Sequence, residues 1–389
     1  MKHNYMAWIE VDLKAIRHNF TEIKKLAARN FVRKPLSRKN PAKRTSCPDV
    51  LCVVKADAYG HGMIRVATAL RRLGVNFWGV SDVTEGIQLR KNGFKEPILL
   101  LGTPLPTQVK DIADFNLMPT VCTVSLAAAL NNYARKINRK IDIHLKIDTG
   151  MGRLGVWHQQ AWDFMNQLLR YSYLNLYGLY THFPVADTDS QFTRQQIAML
   201  GDLVNEFDRE GIIIPYIHAA NSMGLAQYRS DLFNLVRPGL MIYGQYPSPT
   251  LKRKIALRPA MSVKARIIFL KRIPAGQGIS YGHIFTAPRD MTVATLEIGY
   301  NDGYLRCLSN KTHVLINGQR CPVVGRVTMD QIMVDVSRIK NPAIGMEVTL
   351  LGQDKREMIA ADELAQIAGT ISYEILCSLG NRLPRVYKD

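Results

Sequence analysis

No stretch of this 389-residue chain reaches the ~18 consecutive apolar residues of a membrane-spanning helix. The segment Met1 to Phe20 also lacks the uninterrupted apolar core of a secretory leader. Both absences lead us to expect a cytoplasmic protein with no membrane partner. Cysteine is sparse: six residues (Cys47, Cys52, Cys122, Cys307, Cys321 and Cys377), none in a Cys-x-x-Cys pair. That scatter argues against a disulfide framework or a zinc site, so reduced thiols and no metal are expected. Acidic residues are absent from Lys24 to Arg44, where nine basic residues accumulate beside Pro35 and Pro41. The net charge of +19 invites a nucleic-acid reading. The basic stretch, however, lacks the interleaved aromatics of a base-stacking surface. We read it as an exposed loop and expect no specific nucleic-acid partner.

What is present is a large core-forming fraction, 47% hydrophobic against 21% charged. Short apolar runs alternate with amphipathic stretches over the first two-thirds of the chain. The runs are Val50–Ala58, Phe77–Asp82, Pro97–Gly102, Leu117–Cys122, Ile141–Asp148, Leu176–Phe183, Ile212–Ser222 and Asp231–Leu240. Between them lie helical patterns such as Ser125–Arg139, His158–Tyr171 and Ser190–Arg209. Eight strand–helix units predict a (β/α)8 TIM barrel rather than an open sheet. Past residue 256 the pattern changes to strands joined by Gly- and Pro-containing turns. Val263–Arg272, Thr292–Gly299, Thr312–Ile316, Val323–Val327, Ile332–Val336 and Glu347–Leu351 predict a C-terminal, mainly-β domain, with one helix at Ala360–Ala368. The expected division is 1–255 and 256–389, with Trp8–Leu13 able to add a strand to the second part.

A barrel gathers its chemistry at the C-terminal ends of its strands. Lys55 falls there in Val53-Val-Lys-Ala-Asp-Ala-Tyr-Gly-His-Gly62, followed by Tyr59 and His61. A lysine in apolar surroundings can lose its proton and act as a nucleophilic amine toward an aldehyde; otherwise it is a solvated strand end. Lys146 and Asp148 end the fifth run, His182 the sixth, Asn221 and Ser222 the seventh, and Arg237 the eighth. Ser222 suits a phosphate if a short helix starts there, or is a plain N-cap. Gly239 lets backbone N–H groups approach an anion, or is an ordinary turn glycine. Arg153 suits a substrate carboxylate, or pairs with Asp148. Lys146 needs a partner or a modification, because a bare buried ammonium is costly. Tyr281, in Ile279-Ser-Tyr-Gly-His283, is a base only if a neighbour lowers its pKa; otherwise it packs.

Together these motifs resemble the alanine racemases, a fold type III family dependent on pyridoxal 5'-phosphate (PLP). The resemblance covers nearly the whole chain. Beyond the Lys55 segment it is carried by Lys146-Ile-Asp-Thr-Gly-Met-Gly-Arg153, Thr181-His-Phe183, His218-Ala-Ala-Asn-Ser222, Val236-Arg-Pro-Gly239, Ser280-Tyr-Gly282, Ile298-Gly-Tyr-Asn-Asp-Gly303 and Gly325-Arg-Val-Thr-Met-Asp330. It implies that Lys55 binds the cofactor aldehyde. Tyr59, Asn221, Ser222, Gly239, the backbone of Leu240 and Tyr373 would hold the cofactor, chiefly through its phosphate. Arg237 would face the pyridine nitrogen, and His182 would pack near the ring and contact Tyr281. Arg153 would bind the cofactor's phenolic oxygen and the substrate carboxylate, assisted by the backbone of Met329. Lys146 would be carbamylated and face Arg153. Tyr300, Arg306, Arg326, Ile371 and Asp187 would line an entrance corridor. Two departures stand out: a longer basic loop around 30–48, and Thr328 where the family often has cysteine.

The implied activity is interconversion of L- and D-alanine for cell-wall peptidoglycan. Lys55 and Tyr281 would be the two bases, acting in a head-to-tail homodimer with shared sites. Other readings are racemisation of another small amino acid such as serine, or a decarboxylase of the same fold type.

Overall fold

The computed structural model describes residues 4–31 and 47–389. Residues 32–46 of the basic segment thus lie outside the described residues. Two compact units emerge, one of residues 17–31, 47–58 and 63–257, the other of residues 4–16, 59–62 and 258–389.

The first unit is the expected barrel. Its strands run through 49–53, Trp78–Val80, Ile98–Leu100, Met118–Val121, Ile141–Asp148, Leu174–Tyr180, Tyr216–His218 and Leu235–Val236. Neighbours pair in parallel from the first strand through the seventh. The eighth returns to the first through Leu235 opposite Asp49 and Val236 opposite Val50. Across the last gap, the Asn234 N–H donates to the Ile217 carbonyl (3.1 Å) and the Arg237 N–H to the Ala220 carbonyl (2.8 Å). Strands covered on both faces read as continuous apolar runs, which is why all eight were visible in the sequence. The fifth strand, Ile141–Asp148, has the bounds of its run, while the other strands are shorter than theirs, because those runs also encode the turn at the barrel mouth. Ser190–Arg209 forms a helix with the predicted bounds, capped by the Asp189 carboxylate, which accepts the Phe192 N–H (2.9 Å).

The second unit is built on the thirteen-residue strand Met261–Ile273. Ala7–Asp12 and Glu347–Asp354 pair antiparallel with it, and so does Met291–Leu296 beyond a bulge between Ile267 and Phe269. Arg385–Lys388 lies parallel beside Ala7–Asp12. A hairpin joins His313–Ile316 to Gln319–Pro322 through Asn317 and Gly318, both at positive φ (53° and 76°), as an Asn-Gly hairpin turn requires. The expected strand over Val323–Val327 is not formed. Val323 still bonds its N–H to the Thr312 carbonyl (3.0 Å) and bridges Val334, and Val324 donates to the Met333 carbonyl (2.9 Å), but Gly325, at φ 77°, turns the chain out of the extended path. Helices Ala361–Ala368 and Ser372–Ser378 complete the unit. No helix among the described residues is long and apolar enough to cross a membrane.

Candidate active site

Lys55 does not extend the first strand, which ends at Val53. It opens a turn in which Ala56, Asp57, Ala58 and Tyr59 all have positive φ (52°, 51°, 56° and 54°). Four successive non-glycine residues in this left-handed region cost about 1–2 kcal/mol each. Neighbouring hydrogen bonds impose the turn. Glu85 accepts the Ala56 N–H on one carboxylate oxygen and the Ser81 N–H on the other, each at 2.6 Å. Asp57 accepts the Met63 N–H at 2.7 Å, and the Ala58 N–H donates to the Val54 carbonyl at 2.8 Å. Burial pushes the Glu85 pKa up, against the pull of these hydrogen bonds and of the Lys55 charge. Lys55 is thereby fixed at the mouth of the barrel, next to a carboxylate that no sequence motif singled out.

At the seventh and eighth strands, Ser222 Oγ accepts backbone N–H groups from Gly239 (3.0 Å) and Met241 (3.4 Å). Asn221, not Ser222, is the cap: its side chain accepts the Gly224 N–H at 2.9 Å. The helix it caps, Ser222–Gln227, has only six residues, so its dipole adds little and the cradle rests on individual N–H donors. Leu240 is buried and opens the helical turn Leu240–Tyr243.

Arg237 is buried in the barrel and ringed by acceptors. Its guanidinium meets His218 Nδ1 (2.6 Å), the Thr181 carbonyl (2.9 Å), the Ala219 carbonyl (3.1 Å) and His182 Nδ1 (3.3 Å). It also lies over the Tyr180 ring, 5.1 Å from its centre. Burial lowers its pKa to about 10, which leaves it charged at neutral pH. Burial, reinforced by the Arg237 charge, pushes the His182 and His218 pKa values well below the usual imidazole range. Both rings are therefore neutral acceptors toward Arg237.

Lys146 is buried on the fifth strand with its ammonium 5.4 Å from the centre of the Tyr180 ring. Burial first, then the Arg153 and Arg237 charges, lowers its pKa to about 8. Asp148 does not pair with Arg153. Its carboxylate accepts the backbone N–H groups of Gly150, Met151 and Gly152, folding the glycine-rich turn that carries Arg153.

The second unit holds the remaining candidates. The Tyr59 and Tyr373 rings lie 5.9 Å apart, and burial pushes the Tyr59 phenol pKa up. Tyr281 sits in a tight turn between Ser280 (φ 66°) and Gly282 (φ 69°), with its carbonyl accepting the Arg326 Nε–H at 3.2 Å. Its side chain is 71% exposed, and Met329, Tyr300 and Ile371 are exposed as well. The sequence reading gave no role to Glu85, His144, Gly178 or Tyr180. A signal for His144 exists: it alternates with Lys146 and Asp148 on one strand face.

A closed barrel with a lysine at its mouth, a buried arginine and polar groups gathered at its strand ends, followed by a β-rich unit, is the architecture of an α/β-barrel enzyme. The chain belongs to the alanine racemase family. The family's N-terminal domain matches residues 39–247 and its C-terminal domain residues 260–387. Alanine racemase of Halothermothrix orenii is 39% identical over 383 residues, covering 98% of this chain and 97% of the relative. The alanine racemase structure from Clostridium difficile 630 is 34% identical with a TM-score of 0.89, covering 100% of this chain and 97% of that one. That of the Bacillus anthracis enzyme with bound L-Ala-P is 31% identical, also with a TM-score of 0.89, covering 100% and 96%. The chain is thus an enzyme of the racemase class.

Proposed function

We propose that the chain interconverts L- and D-alanine with PLP as cofactor, using Lys55 and Tyr281 as bases on opposite faces of the substrate. The observation that carries the reading is the buried, charged Arg237, held by two neutral histidines behind the Ser222–Gly239–Met241 cradle. The donor set fits the cofactor. Ser222 with the N–H groups of Gly239 and Met241, joined by Tyr59 and Tyr373, would hold a phosphate; Asn221 orders that turn, and the Leu240 backbone lies within it. A guanidinium has no lone pair to take a proton, so Arg237 would keep a pyridine nitrogen unprotonated. The L-Ala-P complex of the B. anthracis enzyme agrees with such a site.

When bound, PLP withdraws electrons from the substrate Cα and so makes its C–H acidic, a task beyond the 10²–10⁴-fold of a positioned base alone. Every other part belongs to the chain. Lys55 would tether the aldehyde covalently and, once released, hold or deliver a proton at Nζ on the face of the D-enantiomer. Tyr281 would do so at its phenolic oxygen on the face of the L-enantiomer. His182 would pack near the ring and contact Tyr281. Arg153 would grip the carboxylate, helped by the Met329 backbone, and Lys146, carbamylated, would set an anion against it. The high exposure of Tyr281 in one chain supports a homodimer in which the partner's site receives it. We assign the cofactor-binding part to 1–255 and the β-rich part to 256–389. We place the enzyme in the cytoplasm, where it would supply D-alanine for peptidoglycan.

Purified chain loaded with PLP and given L-alanine should yield D-alanine on chiral chromatography, at a higher rate than with L-serine and without release of carbon dioxide. Borohydride treatment followed by peptide mapping should mark Lys55. An unmarked Lys55, or carbon dioxide in place of D-alanine, would overturn the reading.

A further inference from the structure

His144 is a wholly buried titratable group with no part in the reading above. Two features build its slot on the fifth barrel strand. Gly178, on the neighbouring strand, leaves the space its ring occupies: a Cβ there would lie 2.3 Å from Nδ1 and 2.4 Å from Cε1. The pairing of the two strands also shifts register between Ile143 and His144, which brings Gly178 rather than Tyr177 opposite the imidazole. Phe77, Tyr177 and Tyr180 enclose the ring, with centres 5.9, 6.1 and 6.4 Å away.

Donor and acceptor chemistry then orders the protons. A guanidinium only donates, so His218 Nδ1, 2.6 Å from Arg237, accepts. The neutral His218 ring must carry its proton on Nε2, which lies 2.9 Å from His144 Nδ1. His144 Nδ1 therefore accepts, and its own proton sits on Nε2, where no hydrogen-bond partner is found among the described residues. A charged ring at either position would set one N–H against another. A buried donor without a partner weakens a fold, so fold stability does not account for a histidine here.

We propose that His144 is a positioning residue for Arg237. By accepting the His218 Nε2–H it selects the tautomer whose Nδ1 receives the guanidinium, and so fixes the direction in which Arg237 presents its charge. The stacked Tyr180 ring, 4.7 Å from His218 at an interplanar angle of 8°, holds the middle ring in plane. The consequence for catalysis rests on the reading of Arg237 as the partner of the cofactor nitrogen; the proton order does not.

The test uses the full chain with ¹⁵N-labelled histidine and two-bond ¹H–¹⁵N correlation at pH 7. His218 and His144 should both be neutral and protonated on Nε2. His144→Asn keeps an acceptor close to Nδ1, whereas His144→Phe keeps the bulk but removes acceptor and orphan donor together. The Phe variant should match or exceed wild-type Tm, put a share of the His218 proton on Nδ1, alter the absorbance of the PLP-loaded chain, and lower kcat about tenfold, as one lost hydrogen bond allows. The Asn variant should restore tautomer and spectrum. Wild-type His218 protonated on Nδ1, a charged His144, or a Phe variant with an unchanged His218 signal would overturn the proposal. If the Phe variant does not fold, the wild-type tautomers decide it alone. Failure of the cofactor reading would look different: no PLP absorbance, with the proton order intact.

Discussion

The chemistry of single residues depends here on what surrounds them. Ser222 belongs to a common residue type in an ordinary turn, yet its hydroxyl gathers two backbone N–H groups into a concave cradle. Ser222→Ala should destabilise the chain by about 1 kcal/mol and weaken phosphate-dependent retention of PLP, measured by urea unfolding and equilibrium dialysis. The buried histidines give a signed pH dependence. Burial, with the Arg237 charge, lowers the His144 pKa to about 3, while the same residue in an unfolded chain titrates near ~6.5. Between those values the unfolded chain takes up a proton that the folded core refuses. Stability is therefore complete above roughly pH 6.5 and falls as pH drops, by about 2 kcal/mol for this one residue at pH 5. Urea midpoints from pH 7 to 5 should show the fall, and His144→Phe should flatten it. An unchanged slope in that variant would remove His144 as its source. The presence of Lys55, Arg153 and Arg237 was plain in the sequence. The acceptors around Arg237 were not, because His218, Thr181 and His182 lie at the ends of other strands.

Among elements, the turn 55–59 departs most from its sequence pattern. Val50–Ala58 reads as one extended apolar run, but the chain reverses after Val53 into a left-handed turn held by Glu85 and Asp57. Propensity alone would not place alanines there. The alternative conformations lose because two carboxylates take three backbone N–H groups and one reversal satisfies them all. Ala56→Gly relieves the Cβ penalty at the first left-handed residue and should raise stability by about 1 kcal/mol. Glu85→Gln keeps one acceptor oxygen where two are used, and should lower stability by about 1–3 kcal/mol with slower borohydride-trapped labelling of Lys55. Unfolding curves and timed peptide mapping would check both; faster labelling in Glu85→Gln would exclude Glu85 as the brace of that lysine. The strand expected over Val323–Val327 failed for a simpler reason. Its valines fit a strand, and Val323 and Val324 still bond to Thr312 and Met333, but Gly325, at φ 77°, turns the chain toward the Ser280 loop, where Ser280 donates to the Arg326 carbonyl (2.8 Å).

For the whole molecule, the racemase reading needs two bases, and one of them is 71% exposed in the single chain. A phenol bathed in water is a poor proton donor or acceptor for a carbon acid, and a second copy would supply its shelter. A Lys55→Ala chain mixed with a Tyr281→Ala chain, each inactive alone, should regain a fraction of wild-type activity through hybrid dimers carrying one intact site. No regain despite demonstrated subunit exchange would sink the shared-site arrangement.

By itself the sequence determined the eight-fold alternation, the change to β structure past residue 256, and the residue types at the barrel mouth. Periodicity is local, and a strand buried on both faces must be apolar throughout. Only the tertiary structure decided the hand of the turn at Lys55, the capping role of Asn221 in place of Ser222, the use of Asp148 on backbone rather than on Arg153, and the line from His144 through His218 to Arg237. The turn at Lys55 and the histidine line depend on hydrogen bonds between segments far apart in the chain, whose geometry exists only once the barrel has closed; the Asn221 and Asp148 bonds are local, but which of several nearby donors each takes is set by the folded turn.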